Sequence, residues 1–169
     1  MSSEPLPATA RVASARRLAF GSALVAAAAL ALSFAGSLGT YFWVAVGSAL
    51  GGMARFWCGE VAFRLAGPAF PWGTLFINIL GSFVIGLFGT LTGPNGRFLV
   101  EPTGRHFVMA GLCGGYTTFS AFSWQTLNLI NDGEWLRAGG NVVGSVVLCL
   151  AAVWAGHVLA LGLDGMKGP

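Results

Sequence analysis

The sequence predicts an all-α membrane protein with a four-helix transmembrane core, a broken third core helix and an extra apolar run in an N-terminal extension. Three observations predict it. Hydrophobic residues make up 55% of the chain and charged residues only 9%, against about 25% charged in soluble domains. Uncharged or weakly charged runs recur at the length of about 20 residues that a spanning helix needs. One of these runs contains the stretch Gly-Leu-Cys-Gly-Gly-Tyr-Thr-Thr-Phe-Ser at 111–120, which disfavours a continuous helix.

Five apolar runs are separated by short polar turns. They cover residues 18–38, 41–65, 72–91, 107–129 and 140–163, with turns at 67–68, 92–97 and 131–134. These turns are too short to form a second domain. We therefore expect an N-terminal extension over residues 1–39 and one transmembrane domain over residues 40–165.

The first run has two interpretations. Arg16 and Arg17 precede an alanine-rich segment that ends in small residues, which is typical of a signal peptide. The same run also fits an inserted extra helix. In the core, Arg64 and Arg137 fall on one side, and Arg97, Arg105 and Lys167 on the other. Because this charge bias is weak, the core is expected to insert in both orientations.

The charge pattern excludes nucleic acid as a partner. The net charge is +3, but the nine basic residues are scattered over termini and loops and form no basic stripe. The three cysteines include no Cys-x-x-Cys, and the two histidines lack the spacing of metal ligands. No nucleophile–base pair or cofactor loop is visible. We therefore expect the chain not to be an enzyme.

Two polar side chains lie inside apolar runs. Arg55 costs at least ~2.5 kcal/mol near the centre of a bilayer, so it is expected either to lie beside a pore or to snorkel, with Glu60 as a partner. Asn78 stands alone in its run and needs hydrogen-bond partners. It either bonds to another helix or donates its amide NH2 group to a passing anion.

The stretch around Cys113–Thr117 predicts a helix break in mid-membrane. Breaks there are tolerated where protein or water satisfies the freed backbone groups, and transporters use them to hold ions. The alternative is close helix packing through Gly111-x-x-x-Gly115, but packing does not explain the hydroxyl groups that follow.

Further polar and aromatic groups follow the break. Phe119, Phe122 and Ser123 share a helix face, which is more often lipid-facing or core than a site, although aromatic ring edges are positive and can face an anion. Asn141 and Ser145 share another face, and Gly140 and Gly144 favour close backbone approach. Because the set is rich in hydrogen-bond donors and poor in carboxylates, it indicates an anion as the permeating species.

These motifs resemble those of the CrcB/Fluc family of small fluoride channels. They are Gly-Gly-x-x-Arg at 51–55, Gly-Thr-Leu-x-x-Asn-x-x-Gly at 73–81, Gly-x-Cys-Gly-Gly-x-Thr-Thr-Phe-Ser-x-Phe-Ser at 111–123 and Asn-x-x-Gly-Ser at 141–145. The third is the most specific. The resemblance extends from about Gly39 to Gly162. Ala121 and Gln125 depart from the family pattern, which commonly has Thr and Glu there.

The resemblance implies an antiparallel, dual-topology homodimer with two fluoride pathways. Phe119 and Phe122 correspond to the family's pore-lining pair, and Asn78, Ser120 and Ser145 to its fluoride-binding donors. A structural Na+ at the dimer centre is implied at the main-chain carbonyls of Gly114 and Thr117. Arg55 matches an arginine of the family's first helix.

The expected function is passive export of cytoplasmic fluoride across the plasma membrane, which lowers the cellular fluoride concentration and confers fluoride resistance. Two rival functions remain. A small proton-coupled multidrug antiporter needs a membrane-embedded carboxylate in its first helix, and Glu60 is poorly placed for that role. In a membrane scaffold subunit, the glycines and polar groups would serve only packing.

Overall fold

The computed structural model describes residues 8–165, and every regular element in that range is helical. The elements are α1 Ala8–Ala66, α2 Trp72–Leu91, α3 Pro102–His106, a π-helical segment Phe107–Cys113, the single turn α4 Gly114–Tyr116, α5 Phe119–Asn131 and α6 Trp135–Gly165. The predicted fold class is confirmed. The N-terminal seven residues and Lys167 lie outside the described residues.

Helix α1 joins two runs that were predicted as separate spans. Residues 18–38 and 41–65 all lie within α1, so no non-helical turn separates the two runs. Only Gly39 and Thr40 separate the runs, and a single glycine costs a helix about 1 kcal/mol without ending it. Tertiary contacts nevertheless place a boundary between Gly39 and Thr40. The assignment of 40–165 as the transmembrane domain stays a prediction.

Helices α2 and α6 pack closely together over small residues. An added Cβ on Gly86 would lie 2.2 Å from the carbonyl oxygen of Val153, and one on Gly156 would lie 2.3 Å from that of Phe83. Glycine therefore sets the distance between these backbones. Gly140 and Gly144, which were predicted to allow close approach, have no heavy atom within 4 Å of an added Cβ in the described chain.

Both helices of this pair suit a bilayer. Trp72–Leu91 and Trp135–Leu163 are long and apolar enough to cross a membrane, and a third span counts if Val25–Phe34 and Ser37–Ala66 of α1 are taken as one. The fourth predicted run is instead divided between residues 102–116 and α5. Each piece is shorter than the ~20 residues that a straight span needs.

The glycines of the third core helix pack against α1. An added Cβ on Gly111 would lie 3.0 Å from the Cα of Gly47, and one on Gly115 would lie 2.5 Å from the carbonyl oxygen of Ser48. The packing interpretation of Gly111-x-x-x-Gly115 is therefore correct. It holds together with the helix break, which occurs just after these glycines.

Candidate ion pathway

The third core helix breaks at Thr117 and Thr118. Their backbones are extended, with φ/ψ of −79°/158° and −153°/113°. The break was predicted over 113–117, but Gly114 and Gly115 remain in a helical turn. Glycine permits a break without requiring one, and here the glycines serve the contact with α1. Bonds from neighbouring side chains fix where the helix stops.

Asn78 of α2 binds the backbone at the break. Its Nδ2 donates to the carbonyl oxygen of Thr118 at 3.1 Å, and its Oδ1 accepts from the N–H of Thr118 at 2.8 Å. In a continuous helix that N–H would donate to the carbonyl of Gly114. The helix–helix interpretation of Asn78 is thus realised. Because an amide NH2 group has two hydrogens, one remains for another acceptor.

Thr118 also caps the helix that follows. Its Oγ1 accepts from the N–H of Ala121 at 3.1 Å, which is the N-cap arrangement that threonine favours. This hydroxyl lies 3.2 Å from the Oγ of Ser120. The positive end of the α5 dipole therefore lies at the break, with the N–H groups of Phe119 and Ser120 in its first turn.

The break releases main-chain oxygens at the end of the first half-helix. The carbonyls of Gly114 and Thr117 lose their usual i+4 donors, because the N–H of Thr118 binds Asn78 and that of Ala121 binds Thr118 Oγ1. Gly114 is exposed. Carbonyl oxygens at a helix C-terminus carry partial negative charge, so this donor set fits Na+.

Arg55 contacts one of these oxygens. Its Nη1 lies 3.4 Å from the carbonyl oxygen of Thr117. The predicted snorkelling partner, Glu60, instead pairs with Arg64 at 3.8 Å on the exposed side of α1. The Arg55–Glu60 pairing is therefore wrong, because the Glu60 carboxylate pairs with the guanidinium of Arg64 and Arg55 bonds to the Thr117 carbonyl. A carbonyl has two lone pairs, so Arg55 leaves one on Thr117 for a cation.

A groove of about 460 Å³ runs along the break. It brings together all the predicted site residues except Ser120 and Arg55: Asn78, Gly114, Thr117, Phe119, Phe122 and Ser145. Ser82, Cys113 and Cys149 also line it. The fold therefore brings site residues that are far apart in sequence onto one surface. Arg55 lines a second cavity of about 520 Å³, together with Thr118 and Gln125.

The two phenylalanines of the groove differ in their environment. Their ring centroids are 5.2 Å apart, but Phe119 is 77% exposed and Phe122 only 8%. The prediction that Phe119 and Phe122 share a helix face is therefore correct, since their rings are in contact. Only the Phe122 ring is buried within the chain. Phe122 forms a wall of the groove, and Phe119 projects from it.

Ser145 reaches the groove from α6 as part of a buried polar chain. Its Oγ donates to Asn141 Oδ1 at 3.4 Å, and Asn141 Nδ2 donates to Thr126 Oγ1 at 2.8 Å. Thr126 Oγ1 in turn donates to the carbonyl oxygen of Phe122 at 2.8 Å. The predicted pairing of Asn141 and Ser145 on one face is thus realised, and it connects two helices.

Known proteins match this chain over the part that forms the groove. The sequence profile described as "CrcB-like protein, Camphor Resistance (CrcB)" matches residues 42–157, more than half of the chain. The chain belongs to the CrcB family. Family relatives include a protein of Opitutus terrae, 60% identical over 76% of this chain and 97% of its own length, and one of Methylocella silvestris, 59% identical over 76% and 98%. Both are named fluoride-specific ion channel FluC.

Two residues of the site were missed from the sequence. Thr118 had a local signal, because a threonine directly before a helix is a common N-cap. Thr126 had no local signal beyond its place one turn after Phe122. Its second partner, Asn141, is 15 residues away in the sequence.

Proposed function

We propose that this chain is a fluoride-specific ion channel of the plasma membrane through which cytoplasmic fluoride leaves by passive electrodiffusion. Its membership in the family of the FluC relatives carries this conclusion. The protein is a multi-pass integral membrane protein, and its activity lowers the cellular fluoride concentration. Fluoride becomes trapped in the cytoplasm when neutral HF enters an acidified cell and dissociates.

The groove supplies the donors that a dehydrated fluoride ion needs. Fluoride is small and strongly hydrated, so each lost water must be replaced by a donor of the pore. The free N–H of Asn78 lines the groove, and the ring edges of Phe119 and Phe122 present partial positive charge. The hydroxyl of Ser145 also lines the groove and can donate to fluoride when its hydrogen turns away from Asn141 Oδ1. Ser120 stands at the positive end of α5. The roles of these five residues are part of the proposal.

The groove is open on one side, which supports a second copy as the missing wall. Phe119 is mostly exposed, and Gly140 and Gly144 present an open small-residue face on α6. Basic residues are balanced between the two ends of the core, which favours insertion in both orientations. We therefore include an antiparallel homodimer with two pathways in the proposal.

A structural Na+ belongs to the same proposal. The carbonyl oxygens of Gly114 and Thr117 would hold it, because the break has freed them from helical bonds. When bound, the ion neutralises the partial negative charge at the end of the first half-helix. Asn78 and Arg55 hold the same peptide segment from the protein side.

The antiporter is disfavoured by the position of its required carboxylate. Glu60 is exposed and pairs with Arg64 near the end of α1. The relatives are ion channels rather than enzymes, and we propose that this chain has no enzymatic activity. A scaffold role does not account for the donors along the groove.

Replacing both groove phenylalanines tests the function and the site together. The double variant F119I/F122I keeps the apolar volume but removes the ring edges, so fluoride efflux from proteoliposomes should be abolished. The matched control, F20I/F76I, changes two exposed rings outside the groove and should retain efflux. Unchanged efflux in F119I/F122I would remove the rings from the mechanism.

A further inference from the structure

A buried polar chain links the two helices that carry Phe122 and Ser145. Asn141 of α6 is only 1% exposed, and Thr126 of α5 is 8% exposed. Their bond at 2.8 Å is the one side-chain hydrogen bond between α5 and α6 within residues 8–165.

Each side chain of this buried polar chain has a hydrogen-bond partner. Asn141 donates to Thr126 and accepts from Ser145, and Thr126 donates to the carbonyl of Phe122. A buried amide or hydroxyl without a partner is strongly disfavoured in an apolar surrounding. Sliding α5 along α6 by one residue would break the Asn141–Thr126 bond and leave the buried Asn141 Nδ2 group without its partner. The buried polar side chains therefore favour one register of α5 against α6 over the neighbouring registers.

We infer that Asn141 and Thr126 are positioning residues. They set where the Phe122 ring lies along the groove relative to the Ser145 hydroxyl. Neither residue lines the groove itself. They act through the backbone carbonyl of Phe122 at one end and through the Ser145 hydroxyl at the other. The importance of that register for transport rests on the proposed function, in which the Phe122 ring edge and the Ser145 hydroxyl face the fluoride ion.

The test compares T126V, T126S and a matched control. T126V keeps the shape of the side chain and removes its hydroxyl, whereas T126S keeps the hydroxyl. T90V on α2 is the control, because Thr90 Oγ1 also bonds to a carbonyl one turn earlier and to a side chain of α6, that of His157, both at 2.8 Å. Thr90 lies away from the groove.

The first readout is structural and needs no transport. A fluorinated phenylalanine at position 122 reports the ring environment by its 19F resonance in the full-length, detergent-solubilised protein. We expect the resonance to shift or broaden in T126V and to stay in place in T126S and T90V. An unchanged resonance in T126V would overturn the inference, whatever the flux.

The second readout is the ratio of fluoride to chloride efflux in proteoliposomes. Because small displacements of positioned groups have large effects on a site, T126V should lose at least about tenfold in fluoride efflux, with a lower fluoride-to-chloride ratio. T126S and T90V should match the wild type. Wild-type fluoride and chloride efflux in T126V would overturn the inference. A wild type without fluoride efflux would instead overturn the proposed function.

Discussion

At the scale of single residues, Asn78 is the side chain that holds the break in place. It pairs the N–H of Thr118, which leaves the helical pattern in the half-buried interior, and it also donates to the carbonyl of the same residue. Each such group without a partner costs about 1–3 kcal/mol. The amide side chain thus makes an extended backbone tolerable at membrane depth, and this support precedes any contact with an anion.

The variant N78L should therefore destabilise the protein as well as stop conduction. Leucine has a similar volume but leaves the N–H of Thr118 without a partner, so we expect a loss of about 1–3 kcal/mol in unfolding free energy. Thermal unfolding in detergent measures it. N131L, at an exposed end of α5, is the control and should leave stability nearly unchanged. Equal stability of N78L and the wild type would contradict the role of Asn78 at the break.

The sequence indicated that Asn78 needs partners but not which ones. An asparagine alone in an apolar run says only that a hydrogen bond must exist, and its partner, Thr118, is 40 residues away. Arg55 illustrates the same limit, because the nearest carboxylate in sequence, Glu60, proved to pair elsewhere. Long-range partners depend on how the helices pack, which local pattern does not specify.

At the scale of helices, terminating residues decided which predictions succeeded. The bounds of α2 agree with the predicted 72–91, since Pro71 precedes the helix and Gly93-Pro94 follows it. Helix α1 runs through residue 40 because no such residue stands there. The break was placed a few residues early because glycine was read as the interrupting residue.

The glycines before the break should be sensitive to any side chain. In G115A the added Cβ would lie 2.5 Å from the carbonyl oxygen of Ser48, so α1 and the first half-helix would have to separate. We expect a loss of about 1–3 kcal/mol in unfolding free energy. G139A is the control: no atom lies within 4 Å of its added Cβ, and alanine favours the helix by up to about 1 kcal/mol.

Thermal unfolding of the two alanine variants distinguishes packing from flexibility. If Gly115 only loosened the helix, G115A would raise stability as G139A does. A lower unfolding temperature for G115A alone would support the close contact with α1. A stabilised G115A that still conducts would contradict that contact.

At the scale of the whole molecule, the proposed Na+ site links the break to the assembly. Two helical pieces shorter than a span meet at residues 117–118, where Gly114 is exposed and Thr117 is half-buried. A cation shared between two copies would bind only the assembled, folded state. Binding to the folded state alone raises stability by mass action.

Replacing Na+ with the bulky N-methylglucamine cation should therefore lower both stability and flux. We expect a lower unfolding temperature in detergent and a loss of fluoride efflux from proteoliposomes, both restored when Na+ is returned. Potassium at equal ionic strength is the control for general salt effects, because it differs in size and not in charge. Full stability and flux in N-methylglucamine would exclude a structural role for Na+.

The most direct measurement is anion efflux from proteoliposomes that contain the purified full-length chain. With fluoride and chloride loaded together and valinomycin added to allow charge balance by K+, a fluoride-specific channel should release the fluoride rapidly and retain the chloride. The F119I/F122I variant should retain both ions. Equal release of chloride and fluoride by the wild-type chain, or release of neither, would contradict a fluoride-specific channel.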